Sequence, residues 1–518
     1  MCMTLLLSVV VLAAGTPGAL GINALAAVPA ADRAAASVEA RIGRIERGLL
    51  HGSVIADRPR ELMPLRERMS FHRVPGVSIA VLNGYHVEWA RSWGTLGAGS
   101  SEALTVNTPF QGASISKPLV AVAVMRLVER GELSLDSDVN RWLKTWKVPE
   151  NEFTTTRKVT VRDLLSHTAG LRIMAFDGVP VGQAFPSTVD LLEGRVGPDG
   201  PIRVVRQPGS SREYTGAGFL VLQQLLEDVT GKPFPRLMEE LVLAPAGMKN
   251  TTFDQAPSAA ETSRRAKGAE RGEAVPGGWL LKPNMASGGV WTTATDLARF
   301  LSELQKAYVG KPSKLLRPAS ARAMIDSVPI QAPQDGRPIS IVRGLGLEVQ
   351  GEGVSLTFGH GGNNTGYRSE MIGLPDGRGV VVLVNGGAQG LIREITRAVA
   401  TEYQWPTPHL LPAVRTVVTV PETTLRTYVG RYEWPEGRRP PVSDVTLEDG
   451  VLRLEGVPLL PEAKDRFFTE GGPAYRFTTD PAGRVSGFVF EVPGLTLTAV
   501  KVGDATPSGA SNHWRGGA

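Results

Sequence analysis

Prolines at positions 406, 408 and 412, directly after Trp405, divide this chain more sharply than any other feature. Each proline fixes φ and removes a backbone donor, so a cluster of three suits an extended connection and not the interior of a helix or a central strand. The pattern differs on the two sides. Before the break, helical periodicities alternate with hairpin signals; after it come short alternating runs separated by Asp-Gly or Gly turns.

In the first region, Gly76 to Leu82 alternates toward Asn83-Gly84 and resumes as Tyr85 to Ala90, which predicts a hairpin with a tight Asn-Gly turn. A second hairpin is expected from Arg368 to Leu374 and Val380 to Asn385 around Pro375-Asp376-Gly377. Between the hairpins, helices are expected from Ser114 to Arg130, Val161 to Leu165, Gly218 to Thr230 and Thr295 to Leu304, with others at Val38 to Leu50 and Leu391 to Tyr403. Hairpins at both ends with helices between them imply an α+β fold, an antiparallel sheet flanked by helices plus an all-α subregion. The expected organisation is therefore a main domain over 27–405, a Pro-rich linker over 406–420, a small all-β domain over 421–503 and a disordered tail over 504–518.

Residues 1–26 read as a signal peptide. The apolar run from Met3 to Ala14 is too short to span a bilayer, and Ala24-Leu25-Ala26 supplies a small-x-small cleavage site, although no Lys or Arg precedes the run. An exported, periplasmic or secreted protein with no stable membrane span after processing is the consequence. Cys2 is the single cysteine, so processing would leave no disulfide, thiolate nucleophile or Cys-ligated metal. The net charge of +5 is spread over 518 residues without a basic run, which argues against a nucleic-acid partner. Composition leaves the oligomeric state open.

Chemistry concentrates at Ser114-Ile115-Ser116-Lys117, the one Ser-x-x-Lys in the sequence, at the expected start of a helix. Residues three apart share a helix face, so the Lys amine can reach the Ser hydroxyl, and the helix N-terminus favours a developing oxyanion. A Ser N-cap followed by a surface Lys would look the same in isolation. A Gly-x-Ser-x-Gly elbow is absent, because Ser116 stands where the last glycine would be, and the seven histidines lack His-Glu-x-x-His spacing. No metal or other cofactor is called for by this acyl-transfer chemistry.

The segment from Thr108 to Pro118 resembles the nucleophile segment of the serine β-lactamase and penicillin-binding-protein family, in particular its class C-like esterase and peptidase branch. Leu164 to Leu171, Pro245-Ala246-Gly247-Met248 and Gly288 to Ala298 are also similar to that family, in order and spacing, across about Val74 to Trp405. The resemblance implies a serine hydrolase that forms an acyl-enzyme on Ser114, with Lys117 and Tyr214 moving the proton. Tyr214-Thr215-Gly216 takes the place of the family's Tyr-x-Asn, so Gly216 lacks the amide that contacts an acyl-amide group in relatives. His360-Gly361-Gly362 takes the place of Lys-Thr-Gly, which makes His360 a donor whose charge depends on pH. The resemblance places oxyanion and substrate contacts at Ser114, Gly216, Gly362 and Asn363. The segment 421–503 looks like the lipocalin-like appendage of some members. His167 reads as a scaffold residue, and the loops Ile173 to Asp199 and Thr262 to Asn284 as cleft walls.

A small-molecule or peptide substrate is thus expected, with an ester or amide bond cleaved. A D-Ala-D-Ala carboxypeptidase, a D-aminopeptidase and a weak β-lactamase remain alternatives, as does a non-catalytic module binding cell-wall peptides. Retention of Ser114, Lys117 and Tyr214 together argues against the last.

Overall fold

The strand Gly76–Asn83 is buried along almost its whole length, because the sheet it belongs to is covered on both faces. That sheet is antiparallel and has seven strands, in the order Val342–Arg343, Glu348–Gln350, Thr357–Asn364, Tyr367–Gly373, Gly379–Val384, Gly76–Asn83 and His86–Gly94. The structure is a computed structural model and describes residues 30–174, 176–326, 342–435, 441–492 and 495–504. The leader, and the tail beyond Asp504, lie outside the described residues.

The period-2 geometry of the strands sorts the two cores. Val77, Ile79 and Val81 face one way, with Val380, Val382 and Val384, onto the helices Ala30–Arg47 and Gln389–Glu402. Ala80, Leu82, Val381 and Leu383 face the other way, into the larger core built by the helices Ser116–Glu129, Ala217–Thr230 and Ala294–Tyr308. These last helices form the expected α-rich subregion on one side of an antiparallel sheet, so the α+β fold class stands.

Both expected hairpins form, with one shift. The first turn is made by Gly84 (φ 62°) and Tyr85 (φ 68°), while Asn83 pairs with His86. A type I′ turn needs positive φ at both central residues, which is costly for tyrosine. Tertiary contacts hold it there: Tyr85 N–H donates to Gly377 O (3.1 Å) and its hydroxyl to Pro375 O (2.8 Å), tying the two hairpin turns together.

Residues 406–420, read as a linker, contain an element that the prolines concealed. Ala413–Arg415 runs parallel to Ser53–Ile55 as a two-stranded ladder, and Trp405 is buried at the start of the segment. Pro412 removes its own donor but leaves the next three residues able to pair. Beyond it, the short helix Glu422–Tyr428 leads into the strands of the expected small β domain. Eight strands from Gly430–Glu433 to Leu495–Gly503 then close into a barrel, the last pairing with the first. Aromatic side chains fill its interior. Tyr428 stacks on Phe477 with ring centroids 4.3 Å apart, and Tyr432, Phe467 and Phe488 pack around them, all buried. An interior packed this way is a core and not a ligand cup.

Candidate active site

The strand Phe110–Ala113 carries the chain to Ser114 and pairs with Val290–Thr292. Ala113 is in the left-handed region (φ 49°), a conformation that costs a non-glycine residue about 1 kcal/mol or more and that turns the chain sharply before Ser114. The Ser116 hydroxyl locks this turn, donating to Ala113 O (2.7 Å) while accepting from Val290 N–H (3.0 Å). The helix expected from Ser114 begins at Ser116, so Ser114 stands in the turn before it and is not its N-cap. The spacing still serves, because Lys117 N–H bonds to Ser114 O (3.0 Å) and a tight turn keeps both side chains on one side.

Lys117 is buried, with 2% of its surface exposed, on a helix whose other residues are almost all in the core. Its Nζ donates to Ser114 Oγ (2.9 Å) and to Ser287 O (2.8 Å). Tyr214, immediately before the helix Ala217–Thr230, donates from its hydroxyl to the same Ser114 Oγ at 2.9 Å. Lys117 Nζ lies 4.9 Å from the centroid of the Tyr214 ring. Two side chains, 3 and 100 residues away in sequence, thus converge on the Ser114 oxygen.

His360 completes the group, its ring centroid 6.1 Å from that of Tyr214. Its Nδ1 lies 2.5 Å from Gly361 O, and since a carbonyl only accepts, the hydrogen bond puts the proton on Nδ1. Among the described residues, the neighbouring strand Glu348–Gln350 reaches only Thr357–Gly359 of this strand, so the His360–Asn364 edge of the sheet is not laddered on that side by it. Gly362 lets this edge abut the segment before Ser114: a Cβ there would lie 2.5 Å from Gly112 O and 3.1 Å from Ala113 Cβ. The Ser369 hydroxyl donates to Gly112 O (2.8 Å) across the same contact. Asn363, next along the strand, is exposed and sits opposite Arg368 in the ladder.

His167 has a defined task in this arrangement. It caps the helix Val161–Ser166 in the left-handed region (φ 61°), accepts at Nδ1 from Thr215 N–H (3.4 Å), and packs its ring 4.6 Å from Tyr214. Gly216, expected among the substrate contacts, stands at the start of the Ala217–Thr230 helix facing Met174 and Ser287.

Sequence reasoning missed Ser287, Gln111 and Asn364. Ser287 acts through its carbonyl, which has no side-chain signature. The Asn364 amide donates to Gln111 Oε1 (2.7 Å) and Gly288 O (3.0 Å), pinning the sheet edge to the nucleophile strand. It also missed Lys282, 3% exposed, which donates to Asp177 Oδ1 (3.0 Å) and to Asp177 O. Burial pushes this ammonium below its usual range, and the Asp177 carboxylate opposes that. The two loops read as cleft walls thereby join, since Val179–Pro180 pairs with Leu280–Leu281.

The beta-lactamase family model matches residues 65–401, more than half of the chain. The chain belongs to the beta-lactamase family. Among its relatives is esterase EstB of Burkholderia gladioli, 32% identical over 200 residues, which covers 36% of this chain and 48% of EstB. The match thus spans about half the length of that relative. The D-alanyl-D-alanine-carboxypeptidase/endopeptidase AmpH of Escherichia coli K12 is 25% identical over 304 residues, 55% of this chain and 75% of AmpH. The octameric penicillin-binding protein homologue from Pyrococcus abyssi has the same fold, with a TM-score of 0.54 at 23% identity, covering 84% of this chain and 98% of that one. In this beta-lactamase family member the match ends before the Pro-rich segment and the barrel, which places Ser114, Lys117, Tyr214 and His360 inside the matched region.

Proposed function

We propose that this chain is a serine hydrolase that cleaves an ester or amide bond through an acyl-enzyme on Ser114. One observation carries the reading: Lys117 Nζ and Tyr214 OH both reach Ser114 Oγ at 2.9 Å. A hydroxyl oxygen flanked by an amine and a phenol can lose its own proton to whichever of the two is in its deprotonated form, while the other compensates the charge.

Tyr214 is the group exposed to the cleft, and its phenolate would take the proton of Ser114 as Oγ attacks the substrate carbonyl carbon. Lys117, held as a donor by Ser287 O, keeps a positive charge near the phenolate oxygen and near Oγ. The tetrahedral oxyanion would be received by the backbone N–H groups of Ser114 and Asn363, which the Gly362 close approach brings to adjoining segments. Collapse breaks the bond to the leaving group, which takes the proton back from Tyr214. Water then repeats the sequence on the acyl-enzyme and regenerates Ser114. His360, beside Tyr214 and with its Nδ1–H held by Gly361 O, would donate to the substrate at the sheet edge from Nε2 in its imidazolium form.

The relatives act on different bonds by their names, an esterase and a carboxypeptidase/endopeptidase, so the family admits both ester and amide substrates. Action outside the cytoplasm is proposed from the apolar run at Met3 to Ala14, and sequencing the N-terminus of the mature protein tests it. The decisive experiment for the chemistry is intact-protein mass spectrometry after a serine-directed phosphonate. One adduct is expected, absent in Ser114→Ala; undiminished labelling of that variant would remove the central claim.

A further inference from the structure

Gly216 follows Tyr214 by two residues and presents no side chain to the cleft, yet the space is not empty. A Cβ built there would lie 3.0 Å from Met174 Cε, and 3.5 Å and 3.6 Å from Ser287 Oγ and Cβ. Ser287 has its one side-chain donor engaged, because its hydroxyl donates to Asn284 O (3.0 Å), and its carbonyl accepts from Lys117. The space that Gly216 leaves is therefore met by the methyl end of Met174.

Met174 is held at both ends of a short strap. Its own N–H donates to Thr215 Oγ1 (3.2 Å), beside Tyr214. Three residues on, Asp177 accepts from buried Lys282 and from the hydroxyl of Thr365, at the tip of the hairpin that carries Asn363. Gly178 (φ 121°) then passes so close to the neighbouring strand that a Cβ would meet Leu281 O at 2.4 Å. Met174 is thus anchored beside Tyr214, and Asp177 at the hairpin that carries Asn363.

We infer that Met174 is a specificity-determining residue that closes the acyl side of the cleft, so that the substrate is an ester with a short, unsubstituted acyl group. This rests on the Ser114 acyl-enzyme reading. An acyl chain attached to the Ser114-bound carbonyl meets an apolar stop that offers no donor to an amide oxygen next to the carbonyl, and an unpaired buried amide oxygen is penalised. A long chain collides with the thioether that occupies the space at Gly216.

The test is kcat/KM for 4-nitrophenyl acetate, butanoate and octanoate and for the 4-nitrophenyl ester of N-acetylglycine, with wild type, Met174→Ala and Met174→Leu. Wild type should prefer acetate and butanoate. Met174→Ala should raise the octanoate-to-butanoate ratio about tenfold, in line with the discrimination a few methylenes support in an apolar pocket, whereas Met174→Leu should keep the wild-type ratio. Wild-type turnover of octanoate or the acylglycine ester equal to that of butanoate would overturn the inference, and so would a ratio unmoved in Met174→Ala. Phosphonate labelling of wild type and Ser114→Ala is run alongside. Loss of Ser114-dependent labelling sinks the catalytic reading itself, whereas intact labelling with an unmoved ratio sinks only the role of Met174.

Discussion

Replacing Tyr214 by Phe removes one hydroxyl and leaves the ring, which makes it the most informative single change in this site. The hydroxyl donates a 2.9 Å hydrogen bond to Ser114 Oγ, and the ring packs on His167 at 4.6 Å and lies 4.9 Å from Lys117 Nζ. Phe keeps both ring contacts. Because Tyr214 is 40% exposed, the lost hydroxyl leaves no buried unpaired group in the core, and stability should change by no more than about 0.5 kcal/mol. Chemistry should suffer far more. A positioned acid–base group contributes about 10²–10⁴-fold, which at about 1.36 kcal/mol per decade is roughly 2.7–5.4 kcal/mol of barrier. The loss should fall on kcat more than on KM, since the proton moves only in the transition state. Steady-state hydrolysis of 4-nitrophenyl acetate from pH 6 to 9, with a thermal melt of each preparation, measures both quantities. Turnover within about threefold of wild type across that range would refute the relay and leave Lys117 as the sole base. A melt lowered by many degrees would show that the hydroxyl is structural instead.

Gly362→Ala should drive the sheet edge from the nucleophile strand, since its Cβ would lie 2.5 Å from Gly112 O; phosphonate labelling of Ser114 should slow at least tenfold, with about 1–3 kcal/mol of destabilisation in denaturant titrations. Asp228 accepts from the backbone N–H of Lys144 (2.6 Å) and Thr145 (3.0 Å), the Thr145 hydroxyl (2.5 Å) and the Gln224 amide (3.1 Å). Burial works against its charge, but these donors outweigh it and hold the carboxyl below the usual range, so its stabilisation is complete above the unfolded pKa of about 4 and is lost as pH falls through the lower folded value. Asp228→Asn should therefore cost about 1.5–3 kcal/mol at pH 7, with the gap to wild type closing below pH 4 in urea melts. Truncation after Thr416 removes the barrel but no residue placed around Ser114. Labelling should persist in a folded truncation, while the melt should fall because the ion pair of Arg415 with Glu462 (2.8 Å) and the bond from Ser53 N–H to Glu470 O (2.9 Å) are lost.

Local chemistry was legible in the residues themselves. Apolar spacing announced the helices Ala217–Thr230, Ala294–Tyr308 and Gln389–Glu402, because a 3.6-residue period survives any tertiary arrangement. Both hairpins followed from turn residues between alternating runs, and the spacing of Ser114 and Lys117 put an amine within reach of a hydroxyl. Tertiary structure decided what depends on distant partners. It shifted the first turn to Gly84-Tyr85, because Gly377 and Pro375 hold Tyr85 where its own backbone preference would not. It turned part of a proline-marked connection into a strand, because Ser53–Ile55 offered an unpaired edge. It gave Lys117 its second acceptor in Ser287 O and put Met174 where Gly216 leaves room, contacts set by backbone positions 170 and 42 residues away. A sequence records which groups a chain can present; only the packed fold sets which of them meet, since a carbonyl, an open sheet edge and a filled gap are written in no residue type.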